Sequence, residues 1–148
     1  IFVLFQFVNR SITVFIACFR IVYAVFLSVA IAFLVQALLS VKASKTILSI
    51  PLLIDTFEEI WSVGLILFGC HLLGLSYLCD RSKLIPKTIS ILILLAGFGY
   101  LLIHIGHLVN TQFATYESII EMIFILPMIL GEIGLAVLLL LKRKEWLN

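Results

Sequence analysis

Three ionisable side chains, Arg20, His71 and Glu132, lie inside long apolar stretches of the sequence. A charged residue at the centre of a spanning helix costs about 2.5–3.5 kcal/mol, so such residues usually face other protein or a watery cavity and mark functional sites. Arg20 can hold an anion, Glu132 can carry a proton or act as a counter-ion, and a histidine changes charge near neutral pH. These residue types predict a binding site for a proton, an anion or a small polar ligand.

A second group of polar residues gathers where several apolar stretches end. His104 and His107 are spaced i, i+3, so both can turn towards one divalent metal ion, with Glu59 and Glu121 as further ligands. The same residues also fit a hydrated acidic rim, because the spacing matches no established metal motif such as H-E-x-x-H. A divalent metal at this rim would indicate a membrane-embedded enzyme. No other cofactor is predicted.

The composition identifies the environment in which these residues must work. Hydrophobic residues make up 64% of the chain and charged residues 12%, with a mean hydropathy of +1.28, whereas a globular protein is about half apolar and a quarter charged. The chain of 148 residues is therefore predicted to be a single integral membrane domain, residues 1–148. A net charge of +2 gives no indication of nucleic-acid binding. The expected partners are the lipid bilayer and other membrane subunits or further copies of the chain.

The apolar stretches predict the helices that position the polar residues. Crossing ~30 Å of hydrocarbon takes ~20 apolar residues in a helix, and four segments are long enough. We predict an all-α, polytopic transmembrane helix bundle, with Ser11 as the N-cap of the first complete span. Its complete spans are 11–41, 52–79, 88–109 and 118–141, after a partial span at 1–8.

Basic residues between the spans predict the topology. One side of the membrane receives only Lys42 and Lys45, and the richer side is expected to be cytoplasmic. This places the C-terminus on the cytoplasmic side of the plasma membrane. A full protein with a cytoplasmic N-terminus would then have six spans. The basic residues of the richer side are Arg10, Arg81, Lys83, Lys87, Lys142, Arg143 and Lys144.

Counting along the helices brings the ionisable residues to one level. At ~1.5 Å per residue, Arg20 lies ~13 Å, His71 ~12 Å and Glu132 ~13 Å from the cytoplasmic ends of their helices. This layer leaves room for an ion pair between Arg20 and Glu132 with His71 beside it.

Helical phase, at ~100° per residue, gives each helix one polar or small-residue side. Tyr100 shares such a side with His104 and His107, and Ala96, Gly97 and Gly99 are small enough for close backbone approach at the depth of the layer. We expect these sides to turn inward together, which adds Tyr100 to the candidate proton or ligand site.

Two interpretations of this layer remain open. A buried ion pair can fix helix register and do nothing else, and the chain would then be a purely structural membrane partner. Alternatively, the layer serves small-solute or proton handling, or belongs to a subunit of a larger complex. Neither interpretation requires an enzymatic activity.

Several short motifs carry a resemblance to a known family. They are FR at 19–20 with YA at 23–24, FGCHLL at 68–73, IPK at 85–87, LLAGFGY at 94–100, and GE at 131–132 with LA at 135–136. In their order and spacing they are similar to the bacterial domain of unknown function 4386 family. The resemblance implies a plasma-membrane protein with about six spans and no established activity. It includes Arg20, His71 and Glu132.

Overall fold

The structure is a computed structural model that describes residues 5–42, 49–109 and 113–141. Its helices are α1 (Arg10–Lys42), α2 (Ser49–Ser82), α3 (Lys87–Val109) and α4 (Ala114–Leu141). All four are long and apolar enough to cross a membrane, which confirms the predicted all-α fold with four spans. The predicted residues that lie outside the described ranges are Ile1 to Leu4 of the partial span, Lys45, Lys142, Arg143 and Lys144.

The first span begins one residue earlier than its predicted cap. The Asn9 side-chain oxygen accepts a hydrogen bond of 3.1 Å from the Ile12 N–H, and the Asn9 carbonyl accepts one of 3.0 Å from the Thr13 N–H. These are the two bonds of an N-cap residue. The predicted cap, Ser11, is wrong, because Ser11 already lies inside the helix and is exposed.

The four helices stand in a row in chain order. In the described part of the chain, extensive packing joins only consecutive helices, α1 with α2, α2 with α3, and α3 with α4. In the most apolar stretch of each helix, the share of buried residues is 56% for α2 but only 11% for α1 and for α4. Helices α2 and α3 therefore form the centre of the row, and α1 and α4 flank it.

Neighbouring helices run antiparallel, as short connections require. Ser62, early in α2, bonds to His104, late in α3, whereas Ser76, late in α2, bonds to the carbonyl of Ser90, early in α3. One end of the row therefore holds Arg10, Arg81, Lys83 and Lys87, and we call it the basic end. The opposite end, the acidic end, holds Lys42 and the carboxylates Asp55, Glu58, Glu59, Glu117 and Glu121.

Small residues bring the helix backbones together at the middle of the row. A Cβ added to Gly97 would lie 3.1 Å from the carbonyl oxygen of Gly69, and one added to Gly69 would lie 3.0 Å from the Gly97 oxygen. On the other side of α3, a Cβ on Gly131 would lie 3.0 Å from the backbone of Leu92. The predicted close approach at the small residues of α3 is confirmed.

The outward surface of the row is apolar. Large hydrophobic side chains are exposed along both flanking helices, for example Ile21 and Val25 on α1 and Met122 and Leu126 on α4. Such a surface is stable only where something other than water covers it, and the length of the helices fits a bilayer. The chain is a multi-pass membrane protein.

Candidate functional site

Within the described part of the chain, Glu132 receives one hydrogen bond, and it comes from the neighbouring helix. The Tyr100 hydroxyl on α3 donates to Glu132 Oε1 on α4 at 3.0 Å, and both side chains are half-buried. The contact depends on the small residues beside it, since Gly131 lies against the α3 backbone and Gly99 lies against Phe124 of α4. The structure thus brings together two members of the predicted inner site.

Arg20 is stabilised by aromatic rings. Its guanidinium carbon lies 5.2 Å from the centroid of the Phe68 ring and 5.5 Å from that of Tyr23. Both distances fit cation–π attraction. The Arg20 side chain is exposed. Its contacts with the rest of the predicted layer are therefore limited to these two rings.

The ion pair between Arg20 and Glu132, for which the layer leaves room, is not formed among the described residues. Among the described residues, the one ion pair joins His107 and Glu117. The physical reason is the row arrangement: Arg20 lies on α1 and Glu132 on α4, and these two helices are not packing neighbours. Equal depth in the membrane placed the two residues at one level without placing them next to each other.

Phe68 links the two charged residues through ring contacts. It is 7% exposed, and its ring lies edge-on to Tyr100 at a centroid distance of 5.2 Å. The same ring contacts Tyr23 at 5.0 Å and His71 at 5.9 Å. An aromatic side chain of α2 therefore lies at the centre of the layer in which the sequence predicted polar contacts.

His71 bonds to backbone. Its Nδ1 lies 2.8 Å from the carbonyl oxygen of Ile16 on α1, and the side chain is 4% exposed. A carbonyl oxygen only accepts, so Nδ1 carries the proton and donates. His71 thus ties α2 to α1 one helical turn before Arg20, and it stacks on Phe68, but neither Arg20 nor Glu132 hydrogen-bonds to it in the described part of the chain.

The polar residues near the acidic end bond to different neighbours. His104 Nδ1 lies 3.3 Å from the Ser62 hydroxyl on α2, and His107 Nδ1 lies 3.4 Å from Glu117 Oε2 on α4. Glu59 and Glu121 are exposed. Within the described ranges no three His, Cys, Asp or Glu side chains are grouped closely enough to hold a metal ion. The predicted metal ligands His104, His107, Glu121 and Glu59 are not assembled there.

Two residues of the site were missed by sequence reasoning. Phe68 is apolar and therefore gives no chemical signal of its own, although it lies one turn before His71. Ser62 belongs with Gly69 and Ser76 to a seven-residue spacing that keeps one face of a helix. That face of α2 packs on α3, while the face of His71 packs on α1. The prediction of one polar side per helix is therefore wrong for α2, which has a neighbour on each side.

The comparison with known families accounts for nearly the whole chain. A family model described as Domain of unknown function (DUF4386) matches residues 1–142. The chain belongs to the DUF4386 family. The resemblance predicted from the short motifs is thereby confirmed, and the match includes all four helices of this DUF4386 protein. No curated protein and no solved structure matches it.

Proposed function

We propose that this DUF4386 protein is a non-enzymatic, proton-responsive membrane protein in which Glu132 binds and releases a proton inside the bilayer. One observation carries the proposal. Glu132 lies in a spanning helix with a hydrogen bond from Tyr100 and, in the described part of the chain, without an ion-pair partner. A direct arginine partner would hold the carboxylate in its charged form.

The chemistry of the contact supports a change of protonation. A tyrosine hydroxyl donates to a carboxylate, and it also has lone pairs that accept from a protonated carboxyl group. Tyr100 can therefore remain bonded to Glu132 in either state. Arg20 adds a positive charge to the same layer. It lies over the Phe68 ring, which contacts Tyr100, and it does not contact the carboxylate itself. Proton binding or proton-coupled handling of a small solute is the function that this arrangement favours over a fixed ion pair.

We further infer that the protein lies in the plasma membrane with its basic end and its C-terminus in the cytoplasm. The charge distribution supports this orientation. Of the described lysines and arginines, four lie at the basic end, whereas Lys42 alone lies at the acidic end; the four are Arg10, Arg81, Lys83 and Lys87. Lysine and arginine are retained on the cytoplasmic side during insertion.

Infrared difference spectroscopy of the reconstituted protein tests the proton site. The carbonyl band of a protonated carboxyl group should appear and disappear as the pH is changed, and Glu132→Gln should remove the band that belongs to the bilayer interior. Glu121→Gln is the matched control, because Glu121 is exposed on the same helix near the acidic end. If the Glu132→Gln spectra match those of the wild type over the whole pH range in which the protein is folded, Glu132 has a structural role only.

A further inference from the structure

A row of polar side chains connects Glu132 with the acidic end. Tyr100, His104 and His107 follow one another on α3 at spacings of four and three residues, which keep one helix face. Each of them bonds to a different neighbour: Tyr100 to Glu132, His104 to Ser62, and His107 to Glu117. The row thus crosses from the deepest carboxyl group of α4 to a carboxylate near the start of the same helix.

We propose that this row is the path by which protons reach Glu132 from the acidic end. The inference rests on the proposed proton site and adds its route. The outer members of the path, His107 and Glu117, lie at the acidic end near the helix termini, and their side chains are 39% and 24% exposed. The inner members are half-buried or buried, and Ser62 is 6% exposed. A proton can therefore enter at His107 and Glu117 and move inward.

The chemistry of the residues suits a relay. An imidazole binds a proton on one nitrogen and releases one from the other, and serine and tyrosine hydroxyls both donate and accept. One proton enters at His107 or Glu117, and one arrives on a carboxylate oxygen of Glu132. An imidazole gains a proton on one nitrogen as it loses one from the other, and a hydroxyl gains and loses a proton on its single oxygen, so the charge of each intermediate group is unchanged after the passage.

The gaps in the row define what must fill them. The rings of Tyr100 and His104 are stacked with centroids 6.3 Å apart, and His104 and His107 are one helical turn apart, about 4.5 Å along the axis. A bridging water can connect polar groups at such distances and pass a proton between them. The path therefore combines the bonds of His107 to Glu117 and of Tyr100 to Glu132 with water at two steps, and the bond between Ser62 and His104 positions the His104 ring between them.

The direction of the path follows from the lack of titratable side chains on α3 and α4 between Glu132 and the basic end. From Ile133 to Leu141, α4 carries no titratable side chain, and α3 carries none between Thr88 and Gly99. The other charged or titratable groups in contact with this layer are His71 of α2, whose Nδ1 is bonded to the Ile16 carbonyl, and two residues of α1. These are Arg20, which lies over Phe68, and Tyr23, whose ring packs on Phe68. On α3 and α4, the titratable chain from Glu132 continues only towards the acidic end.

A pH jump on the full chain in lipid nanodiscs tests the path, because both membrane faces meet the jump at once. Time-resolved infrared spectroscopy follows the Glu132 carboxyl band. His104→Phe removes a proton-transfer group and Ser62→Ala removes the side chain that positions it, so each should slow the appearance of the band by about tenfold or more, since a positioned proton-transfer group contributes at least that much. The final amplitude should remain. Ile105→Phe is the control, because its side chain is exposed on the next position of α3, and its rate should equal that of the wild type.

Rescue separates a relay from a structural effect. Free imidazole added to His104→Ala should restore the rate, whereas it should leave Ile105→Ala unchanged. Wild-type rates in His104→Phe, Ser62→Ala and His104→Gln would overturn the path while leaving the proton site intact. A Glu132 band that never titrates in any variant would overturn the proposed function, and the path with it. If His104→Phe fails to fold, Ser62→Ala and His104→Gln decide the outcome alone.

Discussion

A carboxyl group inside a spanning helix can be accommodated by an ion pair, by hydrogen bonds or by protonation. Glu132 has the hydrogen bond from Tyr100, and the nearest cationic side chain of the layer, Arg20, lies over the rings of Phe68 and Tyr23. Each of the two side chains therefore has its own aromatic neighbours: Glu132 bonds to Tyr100, and Arg20 lies over Phe68 and Tyr23. At the scale of single residues, Tyr100 is the side chain on which the state of Glu132 depends most directly.

Replacing Tyr100 by phenylalanine tests this dependence. The ring and its edge-on contact with Phe68 remain, but Glu132 loses its donor. We expect a loss of about 0.5–2 kcal/mol in the free energy of unfolding, the range found for hydrogen bonds between membrane helices. Reversible unfolding in mixed micelles measures it. In the Glu132→Gln background the same change should cost less, because the bond to a charged acceptor is then absent.

Tyr23→Phe is the matched control for Tyr100→Phe. The Tyr23 ring packs on Phe68 at 5.0 Å, as the Tyr100 ring does at 5.2 Å, but its hydroxyl makes no hydrogen bond in the described part of the chain. Its removal should change stability by less than about 0.5 kcal/mol. Equal effects of the two substitutions would contradict a specific role for the bond to Glu132.

At the scale of the helices, α2 is the element that the others contact. One of its faces meets α1 through Gly64 and His71, and another meets α3 through Ser62, Gly69 and Ser76. Small side chains on both faces allow the neighbouring helices to approach, which places the inner site at the middle of a tightly packed row. Added volume in that packing should be costly, whereas added volume outside it should not be.

Two glycine-to-alanine substitutions should have opposite signs. An added Cβ at Gly97 would lie 2.8 Å from a methyl carbon of Leu73 and 3.1 Å from the Gly69 oxygen. Because backbone lies on one side, we expect Gly97→Ala to destabilise the fold by about 1–3 kcal/mol. At Gly134 the nearest atom, on Ile89, is 3.8 Å away, so Gly134→Ala should gain helix propensity of up to about 1 kcal/mol.

Thermal unfolding of both glycine variants in the same lipid mixture checks the pair. A destabilised Gly134→Ala would contradict open space beside Gly134, and a Gly97→Ala as stable as the wild type would contradict the close approach of α2 and α3 at Gly97. Leu95→Ala serves as a control for changes on the outer side of α3, where the side chain is 40% exposed.

The start of α1 gives a second prediction at this scale. Asn9→Ala removes the side-chain acceptor of the Ile12 N–H and should cost about 1 kcal/mol. Ser11→Ala, two residues later on the exposed side of the helix, should change stability by only a few tenths of a kcal/mol. Chemical unfolding of the two variants side by side distinguishes them. The reverse order would restore Ser11 as the cap.

The sequence predicts the helices well, because length and hydropathy alone decide which segments can cross a bilayer. Depth counting also placed Arg20, His71 and Glu132 at one level. It treated the four helices as equidistant from a common centre, however, and in a row only neighbours touch. The order of neighbours depends on packing between distant segments. One sequence feature does indicate this order: α2 carries two separate series of small and polar residues, one for each of its neighbours.

At the scale of the whole molecule, charge divides the row into two unlike ends. The basic end carries Arg10, Arg81, Lys83 and Lys87 around the turn between α2 and α3, and the acidic end carries the exposed carboxylates Asp55, Glu58 and Glu59 on α2. The polar row from Glu132 leads towards the acidic end. The orientation in the membrane therefore also decides the compartment whose pH Glu132 would follow.

Cysteine labelling in cells tests the orientation. In a background in which Cys18, Cys70 and Cys79 are replaced by alanine, Glu58→Cys should react with a membrane-impermeant thiol reagent in intact cells. Lys83→Cys should react only after permeabilisation, because lysine and arginine are retained in the cytoplasm. The background without added cysteine should not react under either condition.

Leu95→Cys provides the control for depth, because Leu95 is exposed on α3 in the middle of the span, where lipid excludes the reagent. Labelling of Lys83→Cys in intact cells would reverse the topology. In that case the acidic end, together with His107 and Glu117, would lie in the cytoplasm, and Glu132 would respond to internal pH. Protection of Lys83→Cys combined with labelling of Glu58→Cys would place the acidic end outside the cell, so that protons would enter the row of Tyr100, His104 and His107 from the external side.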